Sequence, residues 1–390
     1  MKYPAWLPIL LGFLTAVGPL STDMYLPAFP AIEASLGGRP GTAQVTLAAW
    51  FAGLAVGQLT QGSLADRYGR RGPLVFGTIV YALANAGCAL ATDIGTLSVL
   101  RFVAAFGGSA SMVIPRAIVR DLAEGHAAAR MMSKLILVMG AAPILAPSLG
   151  GLVLGFSSWH AIFWITTAYG CLCGVLVWAV LPETLRPHYR IRLGLGGMAA
   201  RYLGVAQDRV FLSYALMGGF GMFGMFAYIG GSPPVLIQHF GFSPQAFGAL
   251  FGVSAGMFIL AAQISPRLLP RFGAPAMVRA ASMTYAAAGC LLLAFALAGR
   301  GGPAAVILPV MLAMGSMGFI MPNAAVGALT RHANQAGSAS ALMGTIQFTL
   351  AAGSGVLVGA LSDGTARPMA ALLLLGALGA VAADRLRPRG

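Results

Sequence analysis

The chain has 390 residues, of which 58% are hydrophobic and only 9% are charged, and its formal net charge is +14. An ordinary water-soluble domain has about 25% charged residues, so this composition excludes a soluble globular protein. It predicts an all-α polytopic membrane protein.

Twelve apolar stretches are long enough to cross a membrane, because about 20 helical residues at ~1.5 Å rise span a hydrocarbon layer of ~30 Å. A polar connector, residues 182–209, divides them into an N-terminal six-helix half, residues 1–181, and a C-terminal six-helix half, residues 210–390. The predicted spans are approximately 6–29, 43–64, 74–91, 96–118, 133–154, 161–181, 210–234, 243–264, 276–298, 304–329, 338–361 and 368–382.

The basic residues are distributed unequally between the two ends of these spans. With the N-terminus inside, most Lys and Arg residues lie on or near the inner side, and only Arg39, Arg300 and Arg367 lie on the outer side. This positive-inside pattern predicts that both termini are cytoplasmic. It also accounts for the net charge without a nucleic-acid partner.

Two of the charged residues inside spans are candidates for function. Asp23 in the first span is the acid placed deepest in the membrane, and Arg101 lies near the start of the fourth. A carboxylate at such a depth costs ~2.5–3.5 kcal/mol, which makes it a functional candidate. Both residues are predicted about 10 Å below the outer surface, seven residues from the ends of their spans. We expect a titratable pair; the alternative is a static ion pair that locks two helices.

The connection between the second and third spans is a dense charged hairpin, residues 62–73, with four charges and three glycines. A degenerate copy follows the eighth span, where Leu268-Leu-Pro-Arg-Phe-Gly273 aligns with Leu64-Ala-Asp-Arg-Tyr-Gly69. One such copy in the second half is what two parallel repeats around a central cavity require.

Together, the charged hairpin and a series of further motifs resemble the major facilitator superfamily and, within it, the bicyclomycin and chloramphenicol resistance (Bcr/CflA) subfamily of drug:proton antiporters. These motifs, in chain order, are Ser21-Thr-Asp-Met-Tyr-Leu-Pro27, Arg101, Val113-Ile-Pro-Arg-Ala-Ile-Val-Arg-Asp121, Ala142-Pro-Ile-Leu-Ala-Pro-Ser-Leu-Gly-Gly151, Trp159-His-Ala-Ile-Phe-Trp164, Leu181-Pro-Glu-Thr-Leu185, Ser232-Pro233 and Ser338-Ala-Ser-Ala-Leu-Met-Gly344.

The resemblance implies roles for several of these residues. Asp23 and Arg101 would take part in proton coupling. Asp66 and Arg70 would latch the cytoplasmic side, with Asp66 facing the start of the eleventh span near residues 336–339 and Arg70 pairing with Asp121. The alternative is that these charges only set topology.

The fifth span carries the motif that the family associates with exchange rather than uptake. Its matching residues are Pro143, Pro147, Gly150 and Gly151. The alternative interpretation is a kink with close helix packing.

Polar groups that could orient a substrate are sparse, and methionines are frequent in the seventh, eighth, tenth and eleventh spans. Adaptable thioether surfaces suit variable apolar ligands, although methionines also serve as core or lipid-facing residues. We therefore expect lipophilic neutral or weakly cationic substrates. The candidate binding residues are Thr22, Asp23, Leu26, Tyr228, Asn323 and Gln347.

The sequence predicts a transporter rather than an enzyme. The five histidines lie at span ends, and neither paired acids nor metal-spaced ligands accompany them, so no metal or cofactor is expected. The resemblance implies a proton-coupled antibiotic exporter in the bacterial inner membrane, monomeric and in contact with membrane lipids. A proton-independent facilitator or a metabolite exporter on the same fold is the alternative.

Overall fold

The computed structural model describes residues 4, 6–39, 41–123, 125–185 and 195–387, and this part of the chain is helical without any β-strand. Three short segments are not α-helical: Leu26–Ala28 and Thr330–Gln335 are 3₁₀-helical, and Pro234–His239 is π-helical. The α-helices are α1 (Leu7–Thr15), α2 (Val17–Asp23), α3 (Phe29–Ser35), α4 (Thr42–Tyr68), α5 (Arg71–Ala89), α6 (Ile94–Leu122), α7 (Gly125–Phe156), α8 (Trp159–Val180), α9 (Leu195–Ala206), α10 (Arg209–Pro233), α11 (Pro244–Phe272), α12 (Ala274–Ala298), α13 (Ala304–Leu329), α14 (Ala336–Leu361) and α15 (Arg367–Arg385).

Ten of these stretches are long and apolar enough to cross a membrane, and α1 to α3 together count as one of them. The remaining two predicted spans correspond to α4 and α7, which have 27 and 32 residues, and Ala141–Phe156 of α7 is itself apolar. Both pack against the other half of the molecule, α4 on α14 and α7 on α11. The all-helical polytopic fold is confirmed, and the helices are consistent with twelve spans.

Packing within each half follows the same pattern. Helices α4 and α5 pack on α6, and α11 and α12 pack on α13. We use "hairpin end" for the end of the bundle that contains residues 69–70 and 273, and "opposite end" for the end that contains residues 36–39 and 299–303. The division at 181 and 210 stays a prediction, and residues 186–194 of the connector lie outside the described residues.

The first span is broken into three helices rather than continuous. Proline lacks an N–H group and its ring collides with the carbonyl group four residues earlier. Pro19 therefore interrupts the helix at Thr15, where α1 ends, and Pro27 interrupts it at Asp23, where α2 ends. The break places the Asp23 carboxyl group at a helix terminus inside the membrane region.

The two halves touch near the opposite end. Gln44 near the start of α4 donates a hydrogen bond to the carbonyl oxygen of Gly230 at 3.0 Å. Close to the middle of the bundle, Thr345 Oγ1 of α14 donates to the carbonyl oxygen of Ala55 at 3.2 Å. These bonds cross between sequence positions that are 186 and 290 residues apart.

Candidate functional site

Arg101 is fully buried in the first half and is enclosed mainly by aromatic rings. Its guanidinium carbon lies 4.2 Å from the ring centre of Tyr25, 4.4 Å from that of Trp50 and 5.8 Å from that of Phe163. Its Nη2 donates to the carbonyl oxygen of Ser21 at 2.9 Å. A planar, weakly hydrated guanidinium stacks well on aromatic faces, so this cation is held in place without a carboxylate partner.

Asp23 is also buried, with 6% of its surface exposed. The described structure gives its carboxylate neither a hydrogen bond nor an ion pair, so Asp23 and Arg101 are not in direct contact, and the titratable pair expected from the sequence stays a prediction. The carboxylate instead lies in the neighbourhood of the neutral Tyr228 side chain of α10.

Helix geometry explains why the two charges do not meet. Residues four apart share a face, so Ser21 and Tyr25 both face Arg101, whereas Asp23 is rotated by roughly 200° from Ser21. The first span also continues in helical conformation to Ser35 rather than ending near Pro30.

Asp23 faces the boundary between the halves. The 3₁₀ turn Leu26–Ala28 that follows it packs on α10 and α11 of the second half. Leu26 itself is completely buried. Thr22 donates its hydroxyl hydrogen bond to the carbonyl oxygen of Gly18 at 2.9 Å, so the hydroxyl is engaged within its own helix.

The three substrate candidates of the second half have different surroundings. The Tyr228 ring stacks on Phe251 with centres 5.6 Å apart. Asn323 donates to Ser265 Oγ and to the carbonyl oxygen of Phe319, both at 2.8 Å, which ties its amide into the helix packing. The amide nitrogen of Gln347, by contrast, is buried without a hydrogen-bond partner in the described structure. Gln347 is therefore the better-placed amide for a ligand.

Sequence reasoning missed the aromatic residues around Arg101. Trp50 is in the middle of an apolar run and Tyr25 is inside a motif noted for other residues, so neither gave a separate signal. The missed Tyr81 completes the arrangement, because its hydroxyl shares a 2.6 Å hydrogen bond with Ser21 Oγ. The i, i+4 spacing of Ser21 and Tyr25 was the signal that could have identified one shared face.

A second buried carboxylate, which the sequence did not single out, lies in the first span near the opposite end of the bundle. Glu33 is 6% exposed, and its Oε1 accepts hydrogen bonds from the backbone nitrogens of Gly41 at 2.8 Å and Ala43 at 3.1 Å. It therefore caps the start of α4. Its side chain also bonds to Gln238 of the second half.

The charged hairpin forms a network centred on Arg70. Its Nε donates to Asp121 Oδ2 at 2.8 Å, the contact expected from the sequence, and its Nη1 donates to Asp66 Oδ1 at 2.5 Å. Burial lowers the pKa of Arg70, but the bonds to Asp121 and Asp66 outweigh burial and raise this pKa above its ordinary value.

Asp66 is not bonded to the start of α14 in the described structure. Its side chain is 42% exposed and pairs with Arg70 four residues later on the same side of the hairpin. The contact with residues 336–339, which the resemblance implies for the outward-open state, therefore stays a prediction. An arginine one turn away is simply the nearest cation.

Glu183, just after α8, is a further hairpin residue that the sequence did not single out as functional. Its carboxylate accepts from the backbone nitrogens of Arg70 at 2.8 Å and Arg71 at 3.3 Å. The neighbouring Thr184 donates to Asp121 Oδ2 at 3.1 Å. These bonds connect the ends of α4, α5, α6 and α8.

The fifth-span motif lies where α7 passes between the two halves. A side chain at Gly150 would overlap the carbonyl oxygen of Met24, and a methyl group at Gly151 would lie 2.6 Å from the carbonyl oxygen of Pro244. Pro147 is equally close to α11, because a methyl group at Gly248 would lie 2.6 Å from its carbonyl oxygen. Pro143 lies one turn earlier within α7. The motif permits backbone contact with both the broken span and α11.

A bundle of long apolar helices in two similarly packed halves, with buried charges facing the boundary between them, defines a multi-pass membrane transporter. Residues 11–356 match the family model described as Major Facilitator Superfamily, and the chain belongs to this family.

Two relatives support the same conclusion at the level of sequence. The chain is 36% identical over 378 residues to the uncharacterized MFS-type transporter YdgK of Bacillus subtilis, covering 95% of this chain and 92% of the relative. It is 34% identical over 368 residues to a bicyclomycin resistance protein homolog of Haemophilus influenzae, covering 94% and 92% of the two chains. These matches confirm the resemblance drawn from the motifs.

The fold is shared with solved transporters of low sequence identity. The crystal structure of a D-xylose–proton symporter superposes with a TM-score of 0.73 at 15% identity and covers 97% of this chain and 95% of the symporter chain. At this identity, the likeness concerns the fold.

Proposed function

We propose that the protein exports lipophilic neutral or weakly cationic small molecules, including antibiotics, in exchange for protons by alternating access. One observation carries the proposal: a buried carboxylate, Asp23, has no partner among the described residues and lies at a helix break that faces the other half. Broken helices near the membrane midplane commonly form substrate and ion sites in secondary transporters.

The proposed exchange rests on competition between a proton and a substrate for one carboxylate. When ionised, Asp23 attracts either a proton or a cationic substrate, and both cannot occupy it at full strength. Protonation from one side would release the substrate, and deprotonation towards the other side would allow a new substrate to bind. A buried carboxylate without a partner is costly when charged, so it favours binding of either a proton or a cationic substrate, and the proton gradient supplies the driving force for export.

Arg101 acts in this proposal as a fixed positive charge at the depth of Asp23. Its bond to Ser21 and its stacking on Tyr25 keep it close to the broken span without neutralising the carboxylate. This arrangement favours the proton-coupling role over a static ion pair between the two residues. Movement of α2 during transport would change the distance between the charges and hence the proton affinity of Asp23.

Gating would involve the opposed ends of the bundle. The halves touch near the opposite end through Gln44 and Gly230, so opening there requires these bonds to break. At the hairpin end, Arg70 already holds Asp66 and Asp121, and release of Asp66 would free its carboxylate for α14 in another state. The backbone contacts of Gly150 and Gly151 would transmit shifts of the first span to α11.

The setting that we propose is the bacterial inner membrane with the hairpin end and both termini in the cytoplasm. The positive-inside distribution supports this orientation. The name of the Haemophilus influenzae relative refers to bicyclomycin resistance, which supports export of an antibiotic. We propose a monomer as the transporting unit.

The competing function is a proton-independent facilitator or a metabolite exporter. Flux of a lipophilic cation and of chloramphenicol, measured in proteoliposomes with and without a pH gradient, separates the possibilities. Antiport requires accumulation against a concentration gradient that collapses when a protonophore is added. Equal flux at all pH gradients would contradict proton coupling. Export confined to polar metabolites would contradict the proposal that the substrates are drugs.

A further inference from the structure

A long apolar groove lies in the second half, away from the buried charges. Its volume is about 620 Å³. One wall is α11 from Met257 to Phe272, the other is α12 from Ala276 to Thr284, and the floor is α13 from Met311 to Phe319. Helices α11 and α12 both pack on α13 and make little contact with each other, which leaves the space between them.

Small side chains on α12 keep the groove open. Ala276, Ala280 and Thr284 follow each other at four-residue spacing and therefore form one stripe on the groove wall. The facing wall of α11 is lined by larger residues, of which Leu260 and Phe272 are more than half exposed. Because these side chains face outward in a membrane protein, the groove opens towards lipid.

The two hydroxyl groups in the groove are engaged within their own helices. Thr284 donates to the carbonyl oxygen of Ala280 at 3.0 Å, and Ser316 donates to that of Leu312 at 2.9 Å. The remaining lining is aliphatic, aromatic or methionine. The groove therefore offers little to a polar molecule and suits a hydrocarbon chain.

Basic residues surround the end of the groove that reaches the hairpin end. The guanidinium of Arg271 lies 5.3 Å from the ring centre of Phe272, a groove residue. Arg267 is exposed next to the groove residue Leu268, and Arg279 is 62% exposed beside Ala280. Arg279 approaches Asp384 at 3.6 Å, whereas no carboxylate within ion-pair distance of Arg267 or Arg271 is found in the described part of the chain.

We infer that this groove binds one acyl chain of an anionic phospholipid from the leaflet at the hairpin end, with the headgroup phosphate on Arg271 and Arg267. The α11 wall spans 16 residues, roughly 22 Å, which exceeds the ~15 Å depth of one leaflet's hydrocarbon layer. An arginine side chain at this depth reaches the headgroup level by extending along the apolar wall. A bound lipid would fill the space between α11 and α12 and so support α11, which packs on α7 through its first half.

Charge decides between a lipid and a transported drug as occupant. A weakly cationic drug would be repelled by the arginines at the mouth, whereas an anionic headgroup is attracted by about 1 kcal/mol for each basic residue near the surface. The inference stands independently of proton coupling, because it concerns only binding at the periphery of the second half.

The test is lipid binding to the delipidated full-length protein, measured by native mass spectrometry with phosphatidylglycerol and with phosphatidylcholine of the same acyl chains. We expect the first phosphatidylglycerol to bind about 30-fold more tightly than phosphatidylcholine, from about fivefold for each of the two arginines, and Arg271→Gln to lower that preference about fivefold. Ala280→Trp, which fills the groove, should weaken binding of both lipids. Arg271→Lys should keep the preference.

Two matched controls separate the groove from the general surface. Ala287→Trp places the same side chain on an exposed position of α12 outside the groove, and Arg300→Gln removes an exposed arginine at the opposite end. Both should bind lipid as the wild type does. Unchanged phosphatidylglycerol binding in Ala280→Trp, or equal affinity for the two lipids in the wild type, would overturn the inference.

A lipophilic cation, tetraphenylphosphonium, tests the other occupant directly. Loss of its binding in Ala280→Trp together with unchanged lipid binding would make the groove a substrate route and would also overturn the inference. Size-exclusion profiles that match the wild type establish that the variants are folded.

Discussion

The two halves share a packing pattern but differ in what they bury. The described membrane interior of the first half buries Asp23, Glu33 and Arg101, whereas that of the second half buries only neutral polar groups such as Asn323 and Gln347. Its one buried carboxylate, Asp384, lies at the hairpin end beside Arg387. The same scaffold can therefore place charge chemistry on one side of the central boundary and an adaptable neutral surface on the other.

The hairpins of the two halves also differ in charge contacts, which again are concentrated in the first half. Arg70 is 6% exposed at its side chain and bonds two carboxylates, whereas Arg271 at the copied hairpin is exposed and lies over Phe272. Pro270 occupies the position that corresponds to Asp66. The second hairpin has therefore kept the turn, with Gly273 at positive φ, without the ionic network.

The largest effect that we expect is from Asp23→Asn, which should reduce gradient-driven export to the level of empty liposomes. The amide is nearly isosteric but cannot bind and release a proton. The measurement is pH-gradient-driven efflux in proteoliposomes. Asp93→Asn is the matched control, because Asp93 is an exposed N-cap of α6 and Asn caps equally well. Wild-type export by Asp23→Asn would remove Asp23 from the mechanism.

Arg101→Ala should also stop export, and Arg101→Lys should be intermediate, because an ammonium keeps the charge but cannot stack as a flat group on Tyr25 and Trp50. Adding Asp23→Asn to Arg101→Ala should cost little further activity, since both changes affect one coupled unit. Drug-induced proton release in detergent measures the coupling. Independent, additive losses in the double variant would contradict it.

Arg70→Ala should destabilise the fold by about 3 kcal/mol, the lower part of the range for breaking a buried ion pair, because Asp121 loses its cation. Arg271→Ala, the corresponding change in the second hairpin, should cost less than ~0.5 kcal/mol at its exposed site. Unfolding of the two variants in detergent compares the hairpins directly. Equal losses would show that the ionic network adds no stability to the first hairpin.

The same Arg70→Ala protein tests the latch. If the network contributes to closure of the hairpin end, a cysteine introduced in the cavity should be labelled faster from that side. Unchanged labelling in a folded variant would leave the charges as topology signals.

The smallest effect should come from Gln347→Leu, which we expect to change the relative affinity for different drugs by up to about tenfold, the value of one hydrogen bond, with proton coupling intact. Asn323→Leu is the contrasting variant. Its amide bonds to Ser265 and Phe319, so its loss should lower stability rather than alter the drug spectrum. Competition binding with a panel of drugs distinguishes the two outcomes.

Several features of the protein could be predicted from local sequence. Long apolar runs fix the helices, because each backbone polar group must be satisfied within its own helix when no water is present. The hairpin motif predicted the Arg70–Asp121 contact, because the two charges lie at the same end of neighbouring spans. Asp23 could be singled out because a carboxylate in an apolar run is costly wherever the span packs.

The surroundings of the buried charges depended on helix rotation and on contacts between distant segments. Equal depth predicted an Asp23–Arg101 pair. The breaks at Pro19 and Pro27 set the rotation of α2 about its axis, and this rotation directs Asp23 towards Tyr228. Arg101 instead contacts Tyr25 and Trp50. Sequence alone determined which segments cross the membrane, since insertion of an apolar run follows from its composition. Only the tertiary structure decided which groups meet, because a partner is fixed by the direction of each side chain and by which helices pack together.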